Sequence, residues 1–307
     1  MLSIIALAFF FRTIILSSHA SAVEPSNITH KSAPSLDESY GKVVEECKTK
    51  TGRQIYLFKQ WYLASGVITR NMLPDYSLPQ QKNQTAIFRQ LDAWIEKGKL
   101  KEIFAEGCSG ELNSQSTIAF NGWTMPELIA AREQDMFLDI VTSIPMKLEA
   151  RYADKLKTVC GEDEELVKET SLAFSDARGI AGFLSRLEQL KANPEAAKTY
   201  LEGSIQVLSL PKETTINQAT MKLRERLTYI LKRINDSIER RNEYLVKKVM
   251  ATTEPVVAII FGGLHSTGIV SRLNEAGLSC TVVEPIGYEA DDRKLLQRLE
   301  AAIKGSD

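Results

Sequence analysis

His265 lies in IIFGGLHSTG, behind an apolar run and the pair Gly262-Gly263, in a chain whose other histidines are His19 and His30. A strand ending in two glycines can turn sharply, and a following helix brings its positive end near the imidazole. That field favours the neutral ring, the form that binds a metal or accepts a proton. Glu106 closes EIFAE, at the carboxyl end of a predicted strand, where ligands of open α/β sheets collect. Glu111, in GCSGEL, is close enough to join it. Arg241 falls on the apolar stripe of a long predicted helix, between Ile238 and Leu245, so its guanidinium takes a core position and needs a partner there. Each residue also has a plainer reading: His265 as a helix cap, Glu106 as a strand-end cap or ion-pair partner, Arg241 as a stem that snorkels to the helix edge. His30 reads as a solvated linker histidine.

The elements that must position these groups follow from hydrophobic period. RQIYLFKQWY (53–62) reads as a strand, followed by a loop with Gly66, Pro74 and Pro79. NQTAIFRQLDAWIEKG (83–98) reads as a helix ending on Gly98, and 101–107 as a second strand, a series that suggests a parallel pair with a right-handed crossover. From about 125 to 248 helix formers dominate. That segment includes two helices broken near Pro194 and one very long helix after Pro211. PVVAIIFGG (255–263) and SCTVVEP (279–285) restore strand character around a helix closing at Gly277, and a last helix runs from Lys294 to Ile303. The expected class is α/β, with a central mixed or parallel sheet formed by the N- and C-terminal arms and a large helical insertion between them.

The N-terminus, MLSIIALAFFFRTIILSSHASAVEP, is expected to be a signal peptide over 1–22 cleaved after Ala22, with 23–39 a flexible linker and 40–307 a single domain. No later apolar run is long enough to span a bilayer, so no membrane span is expected after cleavage. Export, to a periplasm or the exterior, implies an oxidising compartment. The four cysteines could then form two disulfides in three connectivities, although Cys280, inside an apolar strand, reads as a buried free thiol. Asn27, Asn83 and Asn235 head glycosylation sequons, meaningful in a eukaryotic source. With 38 basic and 39 acidic side chains and no basic cluster, nucleic acid is not an expected partner.

The segments IYLFKQWY, NQTAIFRQLDAWI, EIFAEGCSGEL, ERRNEYLVKKV and VVAIIFGGLHSTGIVSRLNEAGLSCTVVEP resemble the two arms of the TraB/Tiki/GumN group, related more distantly to ChaN-type and erythromycin-esterase-like proteins. Over about a third of the chain, Gly262 and His265 match the second G-x-x-H motif, Glu106 the glutamate, and Arg241-Asn242 the arginine-bearing helix. The first motif departs from the family: Lys59 and Tyr62 stand where it has glycine and histidine. The resemblance implies metal-dependent peptide or ester hydrolysis, with a divalent metal on His265 and Glu106 and a peptide or small-molecule substrate. Glu106 would be base or ligand, His265 ligand or base, Arg241 an anchor for a carboxylate or oxyanion, and Tyr62 an acid or donor, with Glu284 a further bordering candidate. A tyrosine, neutral at ordinary pH, is a poor substitute for the missing imidazole as a ligand. The alternative is therefore a catalytically inactive ligand- or partner-binding protein of the cell envelope; a third reading gives the helical insertion a role in self-association.

Overall fold

Strand formation follows the runs of aliphatic and aromatic residues. The computed structural model describes residues 33–47, 52–61, 78–109, 111–112, 144–290 and 293–304, all within one unit, Ala33–Asp307. The signal-peptide expectation, His19, His30, Asn27 and Tyr62 fall outside these residues. The elements are β1 (Gly41–Cys47), β2 (Gln54–Gln60), α1 (Pro79–Glu96), β3 (Glu102–Ser109), β4 (Glu111–Leu112), α2 (Ile144–Tyr152), β5 (Lys157–Glu162), α3 (Glu164–Gln189), α4 (Pro194–Leu208), α5 (Ile216–Ala251), β6 (Val256–Gly262), α6 (Ser266–Glu275), β7 (Ser279–Pro285) and α7 (Lys294–Lys304).

The strands form one sheet in the order β1-β7-β2-β6-β3-β5-β4, parallel except at the two ends, where β1 and β4 run antiparallel to their neighbours. The fold is therefore α/β, with a large helical stretch between the strands of its two arms. The arms interleave: β6 inserts between β2 and β3, and β2 between β6 and β7. The parallel pair expected from β2 and β3 thus does not form directly; each pairs with β6 instead. Interleaving lets the most apolar strand, VVAIIF, take the middle of the sheet, where both faces are covered.

Side chains alternate across the pleat. Tyr56, Phe58, Ile103, Ala258 and Ile260 face α1 and α2, while Ile55, Leu57, Phe104, Val257, Ile259 and Phe261 face α6 and the last third of α5. α5, 36 residues long and so about 54 Å from end to end, opens on a capping box between Thr215 and Gln218. Its first two-thirds, through Ile238, pack with α3, α4 and α7 in a separate core, and its last third, from Leu245, packs under the sheet. Arg241 sits at the change of core.

Several sequence expectations are corrected. Residues 33–39 are not a loose linker: the Tyr56 hydroxyl donates to Pro34 O (2.8 Å), the Trp94 indole to Ser35 O (3.0 Å) and Asp37 N to Gln90 Oε1 (2.7 Å). The segment lacks apolar content of its own, and side chains of α1 and β2 supply its partners. Pro79 is not loop but the first turn of α1, where its missing N–H costs nothing. The stretch 125–248 is not wholly helical, since β5 lies within it and pairs with β3. Asn83 is 0% exposed, donating to Lys59 O and accepting from Trp61 N, so in the folded chain it clamps the end of β2 and is closed to glycan attachment. Asn235 is exposed on α5.

Cys280 is not a free thiol. It is bonded to Cys47, its cross-strand partner on β1, with Cα atoms 4.9 Å apart. Cys108 is bonded to Cys160, joining β3 to β5 with Cα atoms 5.2 Å apart. An aliphatic strand context conceals a disulfide whenever the partner cysteine lies on the neighbouring strand.

Candidate functional site

Parallel strands bring their carboxyl ends to one side, and there β3, β5 and β6 deliver Glu106, Glu162 and the His265 turn, with α5 alongside. Three of the four residues singled out in the sequence, Glu106, Arg241 and His265, meet. The fourth, Tyr62, lies just past Trp61 outside the described residues.

Arg241 is the hub. Its Nε donates to Glu162 Oε1 at 2.6 Å, its Nη2 reaches the same oxygen, and Nη2 also donates to Glu106 Oε1 at 3.0 Å. The guanidinium is only 9% exposed and the Glu162 side chain 0%, so snorkelling is ruled out and the charge is paired where it is buried. Gly161 makes the approach possible: a Cβ there would run into the Leu245 side chain and the Phe261 ring. Glu106 is further held through Oε2 by the backbone N–H of Gly262, so β6 fixes the carboxylate of β3.

His265 is 3% exposed, its ring packed edge-on to Phe261 with centroids 5.6 Å apart. It occupies the cap position of α6 but makes no side-chain capping bond, which removes the plain capping reading. Nδ1 lies 2.7 Å from Asn242 Oδ1. That oxygen only accepts, so Nδ1 carries the proton and Nε2 presents its lone pair. Nε2 faces Glu106 Oε1 at 3.5 Å. Burial pushes the imidazole pKa below its ordinary value of 6.5; Glu106 acts against that shift and the Arg241 charge adds to it. The neutral ring expected from the sequence is thus favoured, chiefly by desolvation. The turn at Gly262 uses an ordinary φ of −58°, so it does not draw on glycine's left-handed freedom.

Asn242 is itself buried against α6, with no hydrogen-bond partner for its Nδ2, and Gly268 is what admits it: a Cβ at 268 would overlap that amide nitrogen. Gly268→Ala is expected to lower stability by about 1–3 kcal/mol through overpacking and to release His265 Nδ1. Urea unfolding reads the first effect, and the imidazole ¹⁵N shifts read the second.

The other sequence candidates lie elsewhere. Glu284, on β7, is bonded to Lys42 at 2.9 Å and Lys59 at 3.4 Å; burial pushes its pKa up, but the two lysines outweigh that and hold the carboxyl below the usual range. It borders an open groove of about 790 Å³ lined by Gly41, Lys42, Pro285 and Tyr288, not the His265 cluster. Lys59 also stands over the Tyr288 ring, 4.6 Å from its centroid. Glu111 lies on β4, the edge strand beyond β5.

Two members of the cluster were not read from the sequence. Glu162 ends KTVCGE, whose β-branched residues and following Asp163 cap, accepting from Glu165 N and Leu166 N, mark a strand running into a helix. Asn242 follows Ile238 by one helical turn and is a second polar residue on the buried stripe.

Whether the cluster suits a divalent ion is a matter of its donors. Two ligands at about 2.0–2.1 Å from a tetrahedral ion lie about 3.4 Å apart, close to the His265–Glu106 separation, and Asn242 supplies the hydrogen bond that commonly orients a ligating imidazole. Against this, Arg241 shares the same Glu106 oxygen and occupies Glu162. The pair therefore fits as two ligands, and among the described residues no group of three or more His, Cys, Asp or Glu is arranged to hold a metal. No protein-family model, curated protein or solved structure matches this chain.

Proposed function

We propose that the chain is an exported hydrolase of the TraB/Tiki/GumN type, cleaving peptide or ester bonds at the Glu106–His265 pair. The observation that supports this is an oriented neutral imidazole: Nδ1 is tied to Asn242, and the Nε2 lone pair is directed at a carboxylate oxygen 3.5 Å away. Two acceptors face each other there, an arrangement that a shared proton or a cation stabilises. Glu106 is placed to take a proton from water, and His265 to carry it onward to a leaving group. Arg241 is already engaged by Glu106 and Glu162, so its role is to hold the base ionised and oriented rather than to anchor substrate. Tyr62 would donate a proton or steady an oxyanion. A divalent metal on His265 Nε2 and Glu106, completed by ligands outside the described residues, would supply acidified water and a polarised carbonyl. Two disulfides support an oxidising compartment, periplasmic or extracellular. Among the described residues no helix is long and apolar enough to cross a membrane.

One observation favours a second reading, a catalytically inactive protein binding a ligand or partner in the cell envelope. Glu106 takes Arg241 on one oxygen and Gly262 N–H on the other, so the network is satisfied within the chain. Calorimetric titration of the mature protein with zinc, cobalt and manganese separates the two. The hydrolase reading expects binding that weakens at least about tenfold in His265→Ala and Glu106→Gln. No binding in any of the three titrations removes the metal from the proposal, and binding gained only in Tyr62→His supports the inactive protein.

A further inference from the structure

The ladder between β3 and β5 is regular up to Ala105 opposite Cys160 and resumes at Ser109 opposite Glu162. Glu106, Gly107 and Cys108 therefore stand opposite Gly161 alone, a bulge with two residues in excess. Within a bulge, ladder hydrogen bonds do not set the position of one strand against the other. Yet both carboxylates that share Arg241 lie at its rim, Glu106 on one strand and Glu162 on the other. The Cys108–Cys160 disulfide crosses this bulge, two residues after Glu106 and two before Glu162. The Lys248 ammonium also donates to Cys160 O at 2.9 Å, tying the same point to α5.

We infer that the Cys108–Cys160 disulfide is a positioning clamp: it fixes the β3 bulge so that Glu106 meets Arg241 and His265 together. The Cys47–Cys280 link, between β1 and β7, has no such task, since regular pairing already sets its strands through Glu46 and Cys47. A disulfide holds Cα atoms within a narrow range of separation, which is the constraint the interrupted ladder lacks. Opening the link leaves β2, β6 and β7 paired and frees the loop that carries Glu106. The geometric half of this inference stands on the disulfide and the bulge; its effect on turnover rests on the hydrolase reading above.

The test is the Arg241 Nε–H resonance of the full mature chain, a proton buried in a charge-assisted bond to Glu162. In Cys108→Ala/Cys160→Ala its exchange with water is expected to rise at least about tenfold, because local opening governs exchange, while amide protection in β2 and β6 persists. Cys47→Ala/Cys280→Ala is expected to leave the resonance in place. Should the first variant not fold, the same resonance is followed in the wild type during phosphine reduction. There the phosphorus supplies two electrons and becomes a phosphine oxide, and water supplies its oxygen and the two thiol protons. An Arg241 signal unchanged once Cys108–Cys160 is open overturns the clamp, whatever the protein hydrolyses. A lost signal in a protein that hydrolyses nothing keeps the clamp and removes the hydrolase.

Discussion

Arg241→Met is expected to lower the unfolding free energy by about 3–5 kcal/mol, the cost of leaving buried charge without its partner. The substitution keeps the stem's volume and removes the only side chain shown joining Glu106 to Glu162. Two carboxylates are then left together, one of them fully buried. The triple variant with Glu106→Gln and Glu162→Gln should recover much of the loss, since removing a whole buried ionic group is far milder than removing half of it. Urea unfolding of the three proteins checks this. A cost below about 1 kcal/mol, the size of an exposed pair, would mean that the guanidinium is hydrated and that the network is not what joins α5 to the sheet.

His265→Ala is expected to reduce kcat/KM by about 10²–10⁴-fold, the range for loss of a general acid or base. The pH dependence has a definite sign. His265 acts as the neutral ring, and burial places its ionisation below 6.5. Activity in the wild type should therefore rise with pH through a step below that value and be flat from there to neutrality. Stability moves in the same direction. The folded chain binds the proton less readily than the unfolded one, so this contribution is complete above the unfolded value and is lost as pH falls through the folded one. Guanidinium unfolding from pH 5 to pH 8 shows the trend, and His265→Ala should flatten it. A step lying above 6.5 would contradict the burial-driven shift.

The outer strands of the account were legible because local pattern decides them. VVAIIFG and SCTVVEP can be little but buried strands, and Gly98 and Gly277, at φ of +64° and +71°, end their helices as the sequence suggests. Arg241 was legible for a subtler reason: a charge on an apolar stripe demands an anion, and the structure supplies two. What pattern could not reveal was order across the sheet. Nothing local to β2, β3 or β6 says that the third will insert between the first two, because strand order is a tertiary choice among similar apolar edges. For the same reason Cys280 looked like a core thiol, since its partner Cys47 lies on a strand from the other end of the chain. Glu162 was lost inside a segment whose composition is helical on average, although six residues of it are strand.

The central claim is that Glu106, set against a neutral His265, drives hydrolysis. The most direct measurement is turnover of a mixed set of peptide and ester substrates by the purified mature protein, wild type against Glu106→Gln. Glu106→Gln keeps the shape of the side chain and a carbonyl oxygen that can still accept from Arg241, but cannot take a proton. The account predicts measurable wild-type turnover that falls at least about a hundredfold in Glu106→Gln. Equal turnover in the two proteins, or none in the wild type with its metal supplied, would contradict it.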